Sequence, residues 1–127
     1  MRFYFLSLSD VLEIHFDQIN RYGGSQGIRD QNLLLSAIAQ PYATFDGKYL
    51  HNTIYDKASA YLFHICQNHP FIDGNKRFGL TSSLMFLGMN GYSIDYNQKH
   101  LEELTLLVAQ GRYIKEMISC FLTKALG

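Results

Sequence analysis

Apolar residues recur along this chain at helical spacing, and the intervals between them carry the turn chemistry that separates helices. Leu8, Val11, Leu12, His15, Phe16 and Ile19 predict a first helix, with Ser9 or Asp10 available to cap its start. Gly23-Gly24 stops it. Asp30 caps a short second helix that runs through Gln40 and ends against Pro41. Residues 41–53 show no clean period and read as a loop. A third helix carries Ile54, Ala58, Tyr61, Leu62, Ile65 and Cys66 on one stripe. The fourth, from about Lys76 to Asn90, is apolar nearly all round, which predicts a central place in the domain. Gly91 ends it, and Tyr92-Ser93-Ile94-Asp95 reads as a short extended connection. Asn97 caps a fifth helix built on Leu101, Leu104 and Val108. The last helix shows Ile114, Met117, Ile118, Phe121, Leu122 and Ala125. Neither a repeat nor a linker interrupts the pattern, so the expected fold is all-α, one domain of about six helices over residues 1–127.

Composition narrows the class of partner. Hydrophobic residues make up 47% of the 127 and charged ones 17%, which is enough apolar surface for a packed core. Lys+Arg and Asp+Glu balance at 11 each, so no broad field invites nucleic acid or an anionic membrane. No apolar run reaches the roughly 18 residues of a spanning helix, and Asp10 and Glu13 follow the N-terminal apolar run too soon for a signal peptide. A cytoplasmic setting is expected, with Cys66 and Cys120 as buried thiols rather than a disulfide.

The chemistry concentrates in Asn68-His69-Pro70-Phe71-Ile72-Asp73-Gly74-Asn75-Lys76-Arg77, which joins the third helical pattern to the fourth. Its end is a helix N-terminus, where unpaired N–H groups and the positive dipole end favour an anion. Gly74 lets the backbone turn so that N–H groups converge. Lys76 and Arg77 add positive charge, and the Arg77 fork suits phosphate oxygens. Asp73 is a hard oxygen ligand of the type that holds Mg²⁺ against phosphates. His69 is an imidazole able to accept a proton. A base, a metal ligand and a phosphate cradle thus share one loop.

In order and spacing the segment resembles the Fic/Doc signature, His-x-Phe-x-[Asp/Glu/Asn]-[Gly/Ala]-Asn-[Gly/Lys]-Arg, and fills every position of it. Lys76, where the Fic branch has Gly, resembles the death-on-curing (Doc) branch. Gly23-Gly24-Ser25-Gln26-Gly27-Ile28-Arg29-Asp30, Leu33-Leu34, Ala37, Gln40-Pro41, Phe86-Leu87 and Asn90-Gly91 extend the likeness over most of the chain. Gly74 stands where Ala is also found, and Phe78 where a small polar residue is frequent.

The resemblance implies an ATP- and Mg²⁺-dependent enzyme, the toxin of a toxin–antitoxin pair. His69 would be the catalytic base and Asp73 the metal ligand, with Gly74, Asn75, Lys76 and Arg77 binding the nucleotide. Phe71 would anchor the loop in the core. Residues 41–53 would form a flap whose edge pairs with the target as an added strand. The Doc likeness implies transfer of the terminal phosphoryl group to a Ser or Thr hydroxyl of elongation factor Tu. AMP transfer by the same residues is the alternative enzyme, and an antitoxin-binding co-repressor is the alternative of another class. The self-restraining [Ser/Thr]-x-x-x-Glu-[Gly/Asn] pattern fails at Ile14, after Ser9-Asp10-Val11-Leu12-Glu13. Control in trans is therefore implied, by an antitoxin with a disordered tail.

Other readings are plainer. His15 and His64 lie on apolar stripes and read as structural, while His51 and His100 read as surface groups. Arg29 reads equally as a ligand contact or a partner of Asp30. Asp46-Gly47-Lys48 reads as a turn. Gly47-Lys48 lacks the upstream Gly of a Walker A loop, the protein-kinase elements are absent, and His64 and His69 have the wrong spacing for a zincin.

Overall fold

Side-chain caps set several helix starts in this chain, two of them reciprocally. The structure, a computed structural model, describes residues 2–94 and 97–126. Helix α1 (Leu8–Tyr22) begins at Ser7, whose hydroxyl accepts the Asp10 N–H while the Asp10 carboxylate accepts the Ser7 N–H. The cap therefore lies upstream of the expected Ser9, and Asp10 is its partner, because only this pairing satisfies both donors. Asp30 caps α2 (Gln31–Ala39) as expected, accepting the Leu33 N–H at 3.0 Å. That helix stops before Gln40, which opens a 3₁₀ turn, Gln40–Tyr42, around Pro41.

The segment that looked aperiodic holds a small hairpin. Strands β1 (Thr44–Phe45) and β2 (Lys48–Tyr49) pair antiparallel, with Thr44 opposite Tyr49 and Phe45 opposite Lys48. Asp46 and Gly47 form the tip at φ 53° and 78°, the left-handed pair that suits a two-residue hairpin turn. Lys48 belongs to the strand and not to the turn. Strands of two residues are too short to display alternation.

Thr53 and Asp56 form a second capping box at the head of α3 (Ile54–Asn68). Helix α4 (Asn75–Met89) follows, then α5 (Gln98–Ala109), capped by Asn97, and α6 (Lys115–Leu126). Residues 92–94 have no regular structure, and Asp95 of the expected extended connection lies outside the described residues. Among the described residues the fold is all-α, with six helices and one small hairpin.

The centre belongs to α3 more than to α4. Helix α3 packs on α2, α4, α5, α6 and the 3₁₀ turn, whereas α4 lies against α1, α3 and α5. Met85 and Met89 on α4 are about half exposed. The two helices approach closely because Gly79 faces Leu62, Ile65 and Cys66, where an added Cβ would come within 3.3–3.4 Å of their side chains. Ser83 donates to the Ala58 carbonyl at 2.8 Å. Polar Lys57 and Ser59 are buried on α3, which disguised its centrality in a hydropathy pattern. Asn90 ties down the N-terminal segment, its amide exchanging hydrogen bonds with both backbone groups of Tyr4.

Two expectations of burial differ from the structure. Cys66 is buried, its thiol pushed up to about 12 by desolvation, but Cys120 is exposed; both are free thiols. On α6 Ile118 and Leu122 are buried, while Met117, like Ile114 just ahead of the helix, is half exposed, since the stripe is wider than the face that α3 covers.

His51 is half-buried rather than a surface group, because the Lys115 ammonium donates to the Nε2 of His51 and of His64, at 3.0 Å each. An imidazole that accepts from an ammonium must be neutral. Burial first, then Lys115 and His51, push His64 down to about 4; burial and Lys115 lower His51 as well, and burial lowers His15. Between that value and the ordinary histidine value of 6.5, the unfolded chain binds protons that the folded chain refuses. Stability is therefore complete above pH 6.5 and should fall as pH drops towards 4. Urea midpoints measured across this window should decline with acid, and His64→Gln, which keeps a neutral acceptor for Lys115, should flatten the decline.

Candidate functional site

The loop between α3 and α4 reverses the chain through two left-handed residues. His69 ends α3 at φ 47°, ψ 55°, its N–H still bonded to the Ile65 carbonyl. Gly74 opens α4 at φ 77° and supplies no side-chain cap. Glycine adopts that φ freely, but histidine does so at a cost of about 1 kcal/mol or more.

Contacts from the rest of the fold hold the reversal in place. The Arg29 guanidinium donates to the carbonyls of His69 at 2.6 Å and Asn68 at 2.7 Å. The backbone N–H groups of Arg29 and Asp30 donate to the Pro70 carbonyl, and Ile72 donates to Gly27. Asn75 closes the loop from inside: its Oδ1 accepts the Phe71 N–H at 3.0 Å and its Nδ2 donates to the Phe71 carbonyl at 2.9 Å. Phe71 is buried, consistent with a loop anchor.

His15 reaches this loop from α1. It is buried, lies flat on Phe71 with ring centroids 3.6 Å apart, and bonds the Asp73 carbonyl through Nε2 at 2.8 Å. A carbonyl only accepts, so Nε2 carries the proton. Sequence reading placed His15 correctly as structural but missed what it supports. The signal was there, because Val11, His15 and Ile19 mark one buried stripe.

The expected site residues divide into two groups. Asn75 is buried and its side chain is engaged with Phe71, which leaves its backbone N–H as the part able to meet an anion. His69, Asp73, Lys76 and Arg77 are exposed. Asp73 Oδ1 accepts the Gly74 N–H at 2.8 Å, and Oδ2 accepts the Ser25 N–H at 3.2 Å. Gly24 makes this approach possible, since a Cβ there would stand 2.7 Å from Asp73 Oδ2. The Arg77 guanidinium stacks over Tyr22 at 4.4 Å.

A cavity of about 480 Å³ runs between the start of α4 and α5. Asp73, Gly74, Asn75, Lys76 and Arg77 line one side, and Gln98, Glu102 and Thr105 the other. His69 stands outside this lining, connected to it by Asn75 Nδ2, 3.4 Å from His69 Nδ1. The uncapped N–H groups of α4 and two cations give the cavity a wall suited to phosphates. Among the described residues no cluster of three His, Cys, Asp or Glu could cage a metal. Asp73 alone fits a hard cation that keeps its waters and arrives with phosphate oxygens, the habit of Mg²⁺.

A family model described as the Fic/DOC family matches residues 5–87, which include the whole reversal and its clamps. The chain is 37% identical over 90 residues to Toxin Doc of Mycolicibacterium smegmatis, covering 69% of each protein. It is 27% identical over 122 residues to Protein kinase doc of Escherichia phage P1, covering 96% of this chain and 95% of that protein.

The loop's dependence on Asn75 is open to measurement. Asn75→Ala strands the buried Phe71 N–H and carbonyl, which should cost about 1–3 kcal/mol in chemical unfolding. An unfolding midpoint equal to that of the parent would refute the clamp.

Proposed function

The chain belongs to the Fic/DOC family, and on that premise we propose that it is the toxin of a toxin–antitoxin pair. Its reaction is transfer of the γ-phosphoryl group of ATP to a Ser or Thr hydroxyl of a protein, for which elongation factor Tu is the proposed target. The observation that carries this reading is one short reversal presenting His69, Asp73, Lys76 and Arg77 at the head of α4. The names of the two relatives, one a toxin and one a protein kinase, support it.

The proposed chemistry uses each exposed group once. His69 takes the proton from the target hydroxyl as its oxygen attacks the γ-phosphorus. The bond from that phosphorus to the β–γ bridging oxygen breaks, and ADP leaves. Lys76, Arg77 and the first N–H groups of α4 stabilise charge on the transferring oxygens without having to reorient. Asp73 would hold Mg²⁺, which supplies further neutralisation of phosphate charge. Lys76 supports phosphoryl over AMP transfer in this reading. Its side chain fills space that a glycine leaves open for inner phosphates, so the triphosphate lies with its terminal group towards the hydroxyl. In the same proposal the exposed hairpin 44–49 is the edge along which a target strand pairs. Restraint comes from an antitoxin whose disordered tail folds on binding.

Label should therefore pass from γ-labelled ATP to elongation factor Tu, and none from α-labelled ATP. His69→Ala should lower transfer by about 10²–10⁴-fold while leaving nucleotide binding nearly unchanged in calorimetry. Lys76→Gly should lose most of the phosphoryl transfer. Label arriving from α-labelled ATP on the wild-type protein would replace this reading by AMP transfer.

A further inference from the structure

Lys57 has no place in the chemistry above, yet it is the most unusual charge in the molecule. It sits in the first turn of α3 with 0% of its surface exposed. A lysine so placed gives up its hydration, which is costly unless every donor finds a partner. Among the described residues no carboxylate lies within ion-pair distance of it. Its ammonium donates instead to the carbonyls of His51 at 2.7 Å and Asn52 at 2.8 Å. The remaining side of the ammonium faces two aromatic rings, Phe3 at 4.3 Å and Tyr49 at 4.1 Å.

These four partners share one location. His51 and Asn52 are the leg by which the hairpin returns to α3, and Tyr49 is in β2 itself. Phe3 lies against the same strand, edge-on to Tyr49 with centroids 5.9 Å apart. The Leu50 N–H bonds the Ala43 carbonyl at 3.0 Å, which closes the hairpin just above the ammonium. From the other side Lys115 of α6 holds the His51 ring. The far end is free: Phe45 is 76% exposed. The hairpin is thus anchored at its base by a buried cation and open along its edges.

We propose that Lys57 is a positioning residue for the protein substrate, fixing the hairpin 44–49 where a target strand adds to it. A preformed edge spares the target the entropy of ordering it, so Lys57 sets target affinity without touching the nucleotide. This inference rests on the proposed role of the hairpin as a docking edge.

The test uses Lys57→Met, which keeps the stem's packing and removes the charge. Amide exchange of residues 44–50 should quicken by about tenfold or more, with the α3 and α4 core amides unchanged. In the transfer assay with elongation factor Tu, the KM for the target should rise about tenfold, with kcat and the KM for ATP within about twofold of the parent. Phe3→Leu lies outside the hairpin, removes one aromatic wall of the ammonium, and should give a smaller split in the same direction; it carries the test if Lys57→Met does not fold. Unchanged exchange in the hairpin would overturn the anchoring. Faster exchange with an unaltered target KM, or a loss confined to kcat, would overturn the role in docking. A wild-type protein that transfers no phosphate would sink the enzymatic reading instead, while the exchange measurement would still decide whether Lys57 holds the hairpin.

Discussion

A polar loop forced through a left-handed histidine has to be held from outside, and much of this fold is arranged around that requirement. His69 at φ 47° is less stable there than in an ordinary helical or extended conformation. The reversal also takes most backbone groups of residues 70–73 out of the helices, so each buried one needs an individual partner. Arg29, Gly27, Asp30, His15 and Asn75 provide them from three parts of the chain. The Arg29 fork, with two charge-assisted hydrogen bonds to the loop carbonyls, works against the strain at His69.

This arrangement separates support from chemistry. The side chains turned towards the loop backbone are occupied: Asn75 with Phe71, His15 with Asp73, and Arg29 with Asn68 and His69. The side chains turned outwards keep their functional ends accessible. Asp73 shows both roles, since one backbone N–H on each carboxylate oxygen fixes its orientation while leaving lone pairs for a cation. Orientation of this kind is what a site needs if charge is to be stabilised without reorganisation. Glycine at 24 and 74 matters for the same reason, because bulk at 24 would displace the carboxylate and a Cβ at 74 would face both a strained φ and Ile19.

Buried and half-buried lysines and histidines elsewhere follow a related rule. Lys57 and Lys115 meet carbonyls, rings and neutral imidazoles in place of carboxylates. Such partners satisfy an ammonium's donors without a direct ion pair, and the charge then acts on whatever lies near. At His64, where burial already depresses the affinity for a proton, the Lys115 charge depresses it further. Both lysines gather at the foot of the hairpin, where polar contacts and the rings of Phe3 and Tyr49 together hold this part of the surface.

Much of the architecture was legible in the sequence, because helical periodicity and caps are local properties. Asp30, Asn97 and the glycine pair at 23–24 marked helix ends where they occur, and the loop from His69 to Arg77 showed the family signature by order and spacing. Local patterns could not reveal the hairpin, whose strands are too short to alternate, nor the burial of Lys57, which no hydropathy rule assigns to a core. They could not say that Asn75 spends its side chain on the loop, or that His15 and Arg29 are the groups that hold it. The roles of Arg29 and His15 depend on contacts between residues 40 and 58 positions apart in the chain. Residue types and spacing therefore determined which helices form and which groups could do chemistry. Only the packing of α1 and the segment 24–30 against the reversal decided which of those groups remain free to do it, since a side chain's availability is set by its neighbours in space.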